Sequence, residues 1–292
     1  MNHFEKVFQC FPAEVRQHME KLPQSDRNAI EEIRVYRGRE VQVFAKGRRH
    51  QLPGKIDDGD IHGILNNLMK FSYYAYEEDI AKGFITIDGG HRVGLCGKAV
   101  VENGRITMLR DISSLNIRYS REIPGCSDNL MPYITGPQGE LSNLLIVSPP
   151  GCGKTTLLRD IARNLSQRNY KVGICDERSE IAGMSAGVSP YTFGAMVDVL
   201  DGCPKAQGMT MLVRAMSPQV VITDEIGKKE DAEAIKGCIS SGVRVITTIH
   251  GAAVSDLEKT DIWETIEHHI FDYLIFLTDQ PRVGTVKEVR CG

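Results

Sequence analysis

Apolar residues fall into two patterns along this chain, one in each half. In the first half they come in short alternating runs broken by glycine. Ile33 and Val35 before Gly38, with Val41 and Val43 after it, predict a hairpin over residues 32–44. Ahead of it, Ser25 or Asp26 is expected to cap a short helix running through Ile30. Ile61, Ile64, Leu65, Leu68, Met69 and Phe71 recur at helical spacing and predict a helix over 60–77. Glycine-punctuated strands are expected over 83–87, 91–97 and 99–101. The front is thus read as a smaller N-terminal α+β domain. It closes near Pro124-Gly125 or at the Gly136-Pro137-Gln138-Gly139 linker, and its span is placed at residues 1–137.

Residues 138–292 read differently. Four short apolar runs each stop in a polar cluster. Leu144 to Val147 lead into Ser148-Pro149-Pro150-Gly151-Cys152-Gly153-Lys154-Thr155-Thr156. Lys171 to Cys175 lead into Asp176-Glu177-Arg178-Ser179-Glu180, Val220 to Thr223 into Asp224-Glu225, and Arg244 to Ile249 into His250-Gly251. Helical spacing predicts helices over 154–166, 204–216 and 229–241. Strands alternating with helices imply an α/β domain with a parallel sheet covered on both faces, which binds ligands beyond the carboxyl ends of its strands. All four clusters then share one edge. One more core strand is expected over 273–278 and a closing hairpin over 282–289. The glycine-rich segment 181–207, with Met184, Tyr191 and Phe193, is long for a link inside such a sheet and is expected to face substrate or a neighbouring subunit.

The first cluster follows a strand and opens a helix, the context a P-loop requires. Backbone N–H groups of such a loop cradle phosphates, so Gly151, Cys152, Gly153, Lys154, Thr155 and Thr156 are expected nucleotide contacts, and Pro149 and Pro150, which have no N–H to donate, are expected to line the same nucleotide site. Lys154 is expected to reach the β- and γ-phosphates, and the Thr155 hydroxyl to ligate Mg²⁺. Gly-Lys-Ser/Thr alone arises by chance in roughly one chain in seven of this length, and Ser148 stands where the usual pattern has glycine, so the flanking strand and helix carry the assignment. Asp224 is the natural Walker B carboxylate, holding Mg²⁺ directly or through water. Glu225 can orient or deprotonate the attacking water, Glu177 is a second candidate for that work, and His250 can hydrogen-bond the γ-phosphate. Each has a plainer reading: Asp224-Glu225 as a helix cap with a first-turn acid, Glu177 as a partner of Arg178, His250 as structural. His268 and His269 are expected to be structural, and Cys152 needs no catalytic role.

Composition narrows the class without naming it. The chain has 292 residues, 41% hydrophobic and 25% charged, enough for two ordinary globular domains. A formal net charge of −3 argues against a protein that coats nucleic acid. No apolar run is long enough to span a bilayer and residues 1–12 lack a secretory pattern, so a cytoplasmic protein with no direct membrane insertion is expected. The eight cysteines are scattered, with no metal spacing, and read as reduced thiols. The front is rich in arginine (Arg34, Arg37, Arg39, Arg92, Arg110, Arg118, Arg121). Most read as solvated strand faces, and a few are suited to phosphate.

Several stretches carry a resemblance. Residues 216–226, Met-Ser-Pro-Gln-Val-Val-Ile-Thr-Asp-Glu-Ile, and 230–235 resemble the Walker B region of the type II/type IV secretion ATPases. Thr247-Thr248-Ile249-His250-Gly251 is similar to their histidine box, and residues 176–180 fall where their aspartate box falls. Within that superfamily, Glu31-Glu32-Ile33-Arg34, residues 90–97, 110–118 and 149–159 resemble the stage III sporulation AA family of endospore-forming bacteria, over nearly the whole chain. The resemblance implies a RecA-like P-loop ATPase core behind the N-terminal domain, using ATP and Mg²⁺. It also implies a ring, a homo-hexamer, with nucleotide between the domains and near subunit interfaces. The family is expected to power assembly of, or transport through, a channel between mother cell and forespore, working at the cytosolic side of a membrane through integral membrane partners. The resemblance assigns the catalytic glutamate to Glu177 and the Walker B glutamate to Glu225, and leaves open which of Arg34, Arg92, Arg110 and Arg118 reach phosphate. Two departures stand out: Asp224 replaces the usual glycine before that glutamate, and the four-cysteine zinc element is missing. A nucleotide kinase, a nucleic-acid translocase and a nucleotide-gated scaffold are the alternatives. Phosphoryl transfer to an acceptor, stimulation by DNA, and ATP-controlled assembly without hydrolysis would respectively favour them.

Overall fold

A computed structural model of the chain describes residues 3–184, 187–264 and 270–292; His268 and His269 lie outside the described residues. The chain divides into two compact units, Met1–Ser120 with Gly183–Pro190, and Arg121–Ala182 with Tyr191–Gly292.

The first unit opens with three short helices, α1 (His3–Phe8), α2 (Ala13–Glu20) and α3 (Gln24–Arg27). Strands β1 (Ile30–Tyr36), β2 (Glu40–Ala45) and β3 (Arg48–Lys55) follow, then α4 (Asp58–Leu68), a 3₁₀ turn over Tyr73–Tyr76, α5 (Glu77–Ala81), β4 (Phe84–Ile87), β5 (His91–Glu102) and β6 (Arg105–Arg118). The strands form one antiparallel sheet in the order β3-β2-β1-β6-β5-β4. Its period-two pattern puts Ile33, Val35, Val41, Val43, Val93, Leu95, Leu115 and Ile117 into one core with Ile61, Ile64, Leu65 and Leu68 of α4.

Three front-half expectations change. The helix expected through Ile30 is α3 alone, with Pro23 at its N-cap, and Ile30 already belongs to β1. The helix expected over 60–77 stops at Leu68. Lys70 and Phe71 turn left-handed (φ 50° and 59°), and the Phe71 N–H closes on the Asn66 carbonyl at 2.9 Å, a helix end made without glycine. The two strands expected over 91–101 are one strand, β5, paired with β6, a strand the periodicity did not predict. Asp111 sits at φ 49° where the β5–β6 pairing slips between Cys96 and Lys98, which breaks the alternation that would have marked β6.

The second unit holds α6 (Met131–Ile134), β7 (Leu144–Ser148), α7 (Lys154–Gln167), β8 (Val172–Asp176), β9 (Val197–Asp201), α8 (Lys205–Met216), β10 (Val220–Thr223), α9 (Lys229–Ser240), β11 (Arg244–His250), α10 (Val254–Leu257), β12 (Tyr273–Thr278) and β13 (Thr285–Cys291). Its sheet runs β13-β12-β7-β11-β10-β8-β9, parallel except for β13. Alternate residues of each strand feed two cores. Leu144, Ile146, Ile174 and Ile222 pack with Leu157, Leu158, Ile161 and Leu165 of α7. Leu145, Val147, Val221 and Val245 pack with Met209 and Leu212 of α8 and Ile235 of α9. Burial on both faces explains why these strands read as continuous apolar runs. The long segment 181–207 contains edge strand β9 and the first residues of α8. The closing hairpin expected over 282–289 is not a hairpin of its own: residues 285–289 belong to the single strand β13, which folds back antiparallel onto β12.

The division at Ser120/Arg121 falls ahead of the expected boundary at residue 137. Residues 125–134 are tied to α7. The buried Asp160 carboxylate accepts from Gly125 N–H (3.1 Å), Ser127 N–H (2.8 Å) and Ser127 Oγ (2.7 Å), and Leu130, Met131 and Ile134 join the core beneath. Among the described residues, no helix is long and apolar enough to cross a membrane.

Candidate functional site

The sheet order places β7, β11, β10 and β8 side by side and parallel, so the four polar clusters lie at adjacent strand ends. From β7, whose residues are all buried, the chain passes through Ser148 into the glycine loop. Gly151 (φ 80°) and Gly153 (φ 81°) take left-handed conformations that disfavour side chains, and nothing lies within 4 Å of where a Gly151 Cβ would stand. Gly153 is the N-cap of α7, which has no side-chain cap and no acid in its first turn. The orphan N–H groups of that turn are thus left to an external acceptor. Thr155 and Thr156 are half-buried in the same turn, and Cys152 is buried within the loop. This open, positively polarised cradle fits phosphate, and the Thr155 hydroxyl fits a hard cation beside it.

Lys154 is the first residue of α7. Its Nζ donates to the Ser148 carbonyl at 2.9 Å and lies 2.7 Å from His250 Nδ1, while His250 Nε2 lies 2.8 Å from Glu225 Oε2. The end of β11 therefore bridges the loop lysine to the carboxylate after β10. Burial pulls the Lys154 pKa down, and the Glu225 charge partly restores it.

A second chain of contacts centres on Lys205, the first residue of α8 and nearly buried at 6% exposure. Its Nζ lies 2.6 Å from Glu177 Oε2, past the end of β8, and 3.1 Å from Asp224 Oδ1, past the end of β10. The Asp224 contact is an ion pair and lacks hydrogen-bond geometry, so Oδ1 is buried without a hydrogen bond. Burial pushes the Asp224 carboxyl above its usual range against the pull of Lys205. Burial also pushes Glu177 upward, but its hydrogen bond to Lys205 and the charge of that ammonium outweigh it and hold the carboxyl below its usual range. For Lys205, burial is outweighed by the two carboxylates, and its pKa rises.

Two buried groups fix the backbone around Glu177. Asp176 accepts the N–H groups of Glu180 (2.9 Å) and Ala182 (2.8 Å). Arg159 of α7, 2% exposed, donates to the carbonyls of Ile181 (2.7 Å), Glu180 (2.6 Å) and Arg121 (2.6 Å), with its guanidinium 3.8 Å from the centre of the Tyr191 ring. Gly208 lets α8 approach β8: a Cβ there would lie 2.5 Å from the sulfurs of both Cys175 and Cys203.

Of the predicted residues, Lys154, His250 and Glu225 thus form one chain of contacts, and Glu177 and Asp224 meet through Lys205. Sequence reasoning missed Lys205 and Arg159. A lysine at the start of a helix opposes the helix dipole, and that misplaced charge was the available signal for Lys205. Arg159 sits on the apolar stripe of α7 and left no such mark. In the front unit, Arg34 pairs with Glu32 and reaches the Tyr36 hydroxyl at 3.3 Å, and Arg92 lies 3.8 Å over the Phe84 ring. Arg118 stands in register between Glu32 and Arg92, while Arg110 is exposed in β6.

A parallel sheet in this order, entered through a glycine loop and carrying an antiparallel unit ahead of it in sequence, defines the RecA-like P-loop fold of the secretion ATPases. The Legionella pneumophila ATPase DotB superposes with a TM-score of 0.56 at 18% identity, over 89% of this chain and 73% of its own. The pilus retraction motor PilT with bound ADP superposes with a TM-score of 0.61 at 15% identity, over 88% of this chain and 77% of its own. The chain belongs to the family described as Sporulation stage III, protein AA, which it matches over residues 1–290. Stage III sporulation protein AA of Bacillus subtilis (strain 168) is 41% identical over 290 residues, 97% of this chain and 94% of that protein.

Proposed function

We propose that this chain binds ATP with Mg²⁺ at the glycine loop and hydrolyses it as the subunit of a ring-shaped motor. The observation that carries the reading is the adjacency of the four strand ends, with the Lys154–His250–Glu225 bridge directly behind the phosphate cradle. The loop N–H groups and Lys154 hold the β- and γ-phosphates. Thr155 and Asp224 would hold the metal, Asp224 directly or through water. The bound metal supplies neutralisation of charge on the phosphate oxygens. Glu177, kept ionised by Lys205, takes the proton of the attacking water. The water oxygen bonds to the γ-phosphorus, the bond to the bridging oxygen breaks, and its electron pair leaves with ADP. His250 gives up Lys154 to the γ-phosphate and regains it once phosphate departs, so Glu225 feels each turnover through the imidazole.

Membership of the sporulation family and the fold shared with secretion motors support a place in spore formation. The motor powers assembly of, or transport through, a channel between mother cell and forespore. It is cytoplasmic on the mother-cell side and held at the membrane by integral partners, with no direct insertion and no nucleic acid. Hexamers are the expected ring.

Titration of a fluorescent ATP analogue in Mg²⁺, with molecular mass followed by light scattering, tests the reading. Binding that drives assembly into rings, and is weakened at least ~10-fold by Lys154→Ala, is expected. Equal binding by the two proteins would refute the assignment of the loop.

A further inference from the structure

Lys205 is the buried charge that the P-loop alone does not explain. It occupies the first turn of α8, where the helix dipole opposes a cation, with Pro204 ahead of it and no acid in that turn. A buried ammonium at such a place must be held by something else, and its two partners come from different strands: Glu177 after β8 at 2.6 Å and Asp224 after β10 at 3.1 Å. With Gly208 seating α8 close on β8, the ammonium is fixed between the two carboxylates.

We propose that Lys205 is the positioning residue of the hydrolytic site, holding the Glu177 carboxylate in place for the attacking water while Asp224 anchors Lys205 from the opposite side. The inference rests on the hydrolysis reading above and deepens it. The buried Asp224 and the part-exposed Glu177 carboxylates meet at one ammonium, and that fixed charge offsets repulsion between them without an exchangeable ion. It also restricts the rotamer of Glu177, a side chain otherwise free to swing into solvent. Asp224 has no hydrogen bond on Oδ1, so this ion pair is what compensates its buried charge. Lys205 touches neither phosphate nor water in this scheme and acts through Glu177.

The test is a double-mutant cycle on full-length protein: wild type, Lys205→Met, Glu177→Gln and the double variant. Phosphate release and the Kd for a fluorescent ATP analogue are measured on each. Methionine keeps the length of the lysine stem and removes the charge. Lys205→Met is expected to lower kcat ~10- to 100-fold, with nucleotide Kd changed less than about twofold. In the Glu177→Gln background the same change is expected to cost less than about twofold, because the group it positions is already gone. Lys205→Arg, which keeps the charge, is expected to recover part of kcat.

A second reading uses the nucleotide-free protein and no turnover. Lys205→Met should lower the melting midpoint by leaving Asp224 buried and unpaired, and adding Asp224→Asn should restore part of it. Lys205→Met multiplying the Glu177→Gln loss by its full single factor, or acting mainly through nucleotide Kd, would overturn the inference while leaving hydrolysis intact. Failure of Asp224→Asn to recover stability would also overturn it. Absence of phosphate release from the wild type would overturn the hydrolysis reading, and the positioning role with it.

Discussion

Asp176 and Lys154 are both ionisable groups partly stripped of water, and they resolve the cost in opposite ways. Lys154 stays within reach of His250 and, beyond it, Glu225. Asp176 is fully buried and hydrogen-bonded by two backbone donors, and burial, helped by the nearby Asp224 and Asp201 carboxylates, pushes its carboxyl up to about 7 despite those two N–H bonds. Its ordinary value is 3.8. Below that value the folded and unfolded chains both hold the proton. As pH rises from there to about 7, the unfolded chain ionises first, so stability is lost through that window and levels off above it. Between about pH 5 and about pH 8 the loss amounts to about 3 kcal/mol. Asp176→Asn removes it, so the variant should gain stability relative to wild type over that range in parallel thermal melts. A difference that stays constant with pH would contradict the burial argument.

Helix α7 serves three parts of the second unit at once. Its first residue is Lys154, Asp160 ties down residues 125–127, and Arg159 binds the carbonyls of the loop that follows β8. Arg159→Met would leave the buried Ile181 carbonyl and the part-buried Glu180 carbonyl without this donor and lose the stack on Tyr191. Chemical denaturation should show a loss of about 3–5 kcal/mol, and limited proteolysis should open the 177–182 loop. A loss below about 1 kcal/mol would mean water replaces the guanidinium. At this scale the periodicity was most readable where the sheet is buried on both faces: β7, β8, β10, β11 and β12 all stand where apolar runs predicted them. It failed where a local backbone feature interrupts the period, as Asp111 does in β6 and the left-handed Lys70-Phe71 pair does after α4. Edge strand β9 was hidden because only one neighbour supports it and its residues are half-buried, with Asp201 exposed.

Across the whole molecule, the sheet order turns a set of separated motifs into one edge. Leu144 to Thr156, Asp176 to Glu180, Asp224-Glu225 and His250 are far apart in sequence and belong to four neighbouring parallel strands. That convergence was legible because a strand–helix alternation dictates it. What joins the motifs was not: Lys205 and Arg159 act through tertiary contacts, and hydrophobic pattern carries no record of which buried charge meets which. The second unit is a RecA-like core, and the first is an antiparallel sheet whose outward strand positions carry Arg34, Arg92 and Arg118. The central claim is that this edge hydrolyses ATP. Steady-state phosphate release by the wild type beside Lys154→Ala tests it most directly. The account predicts Mg²⁺-dependent release that falls at least ~100-fold in the variant. Release that survives Lys154→Ala unchanged, or none from a wild type that has bound ATP and assembled, would contradict it.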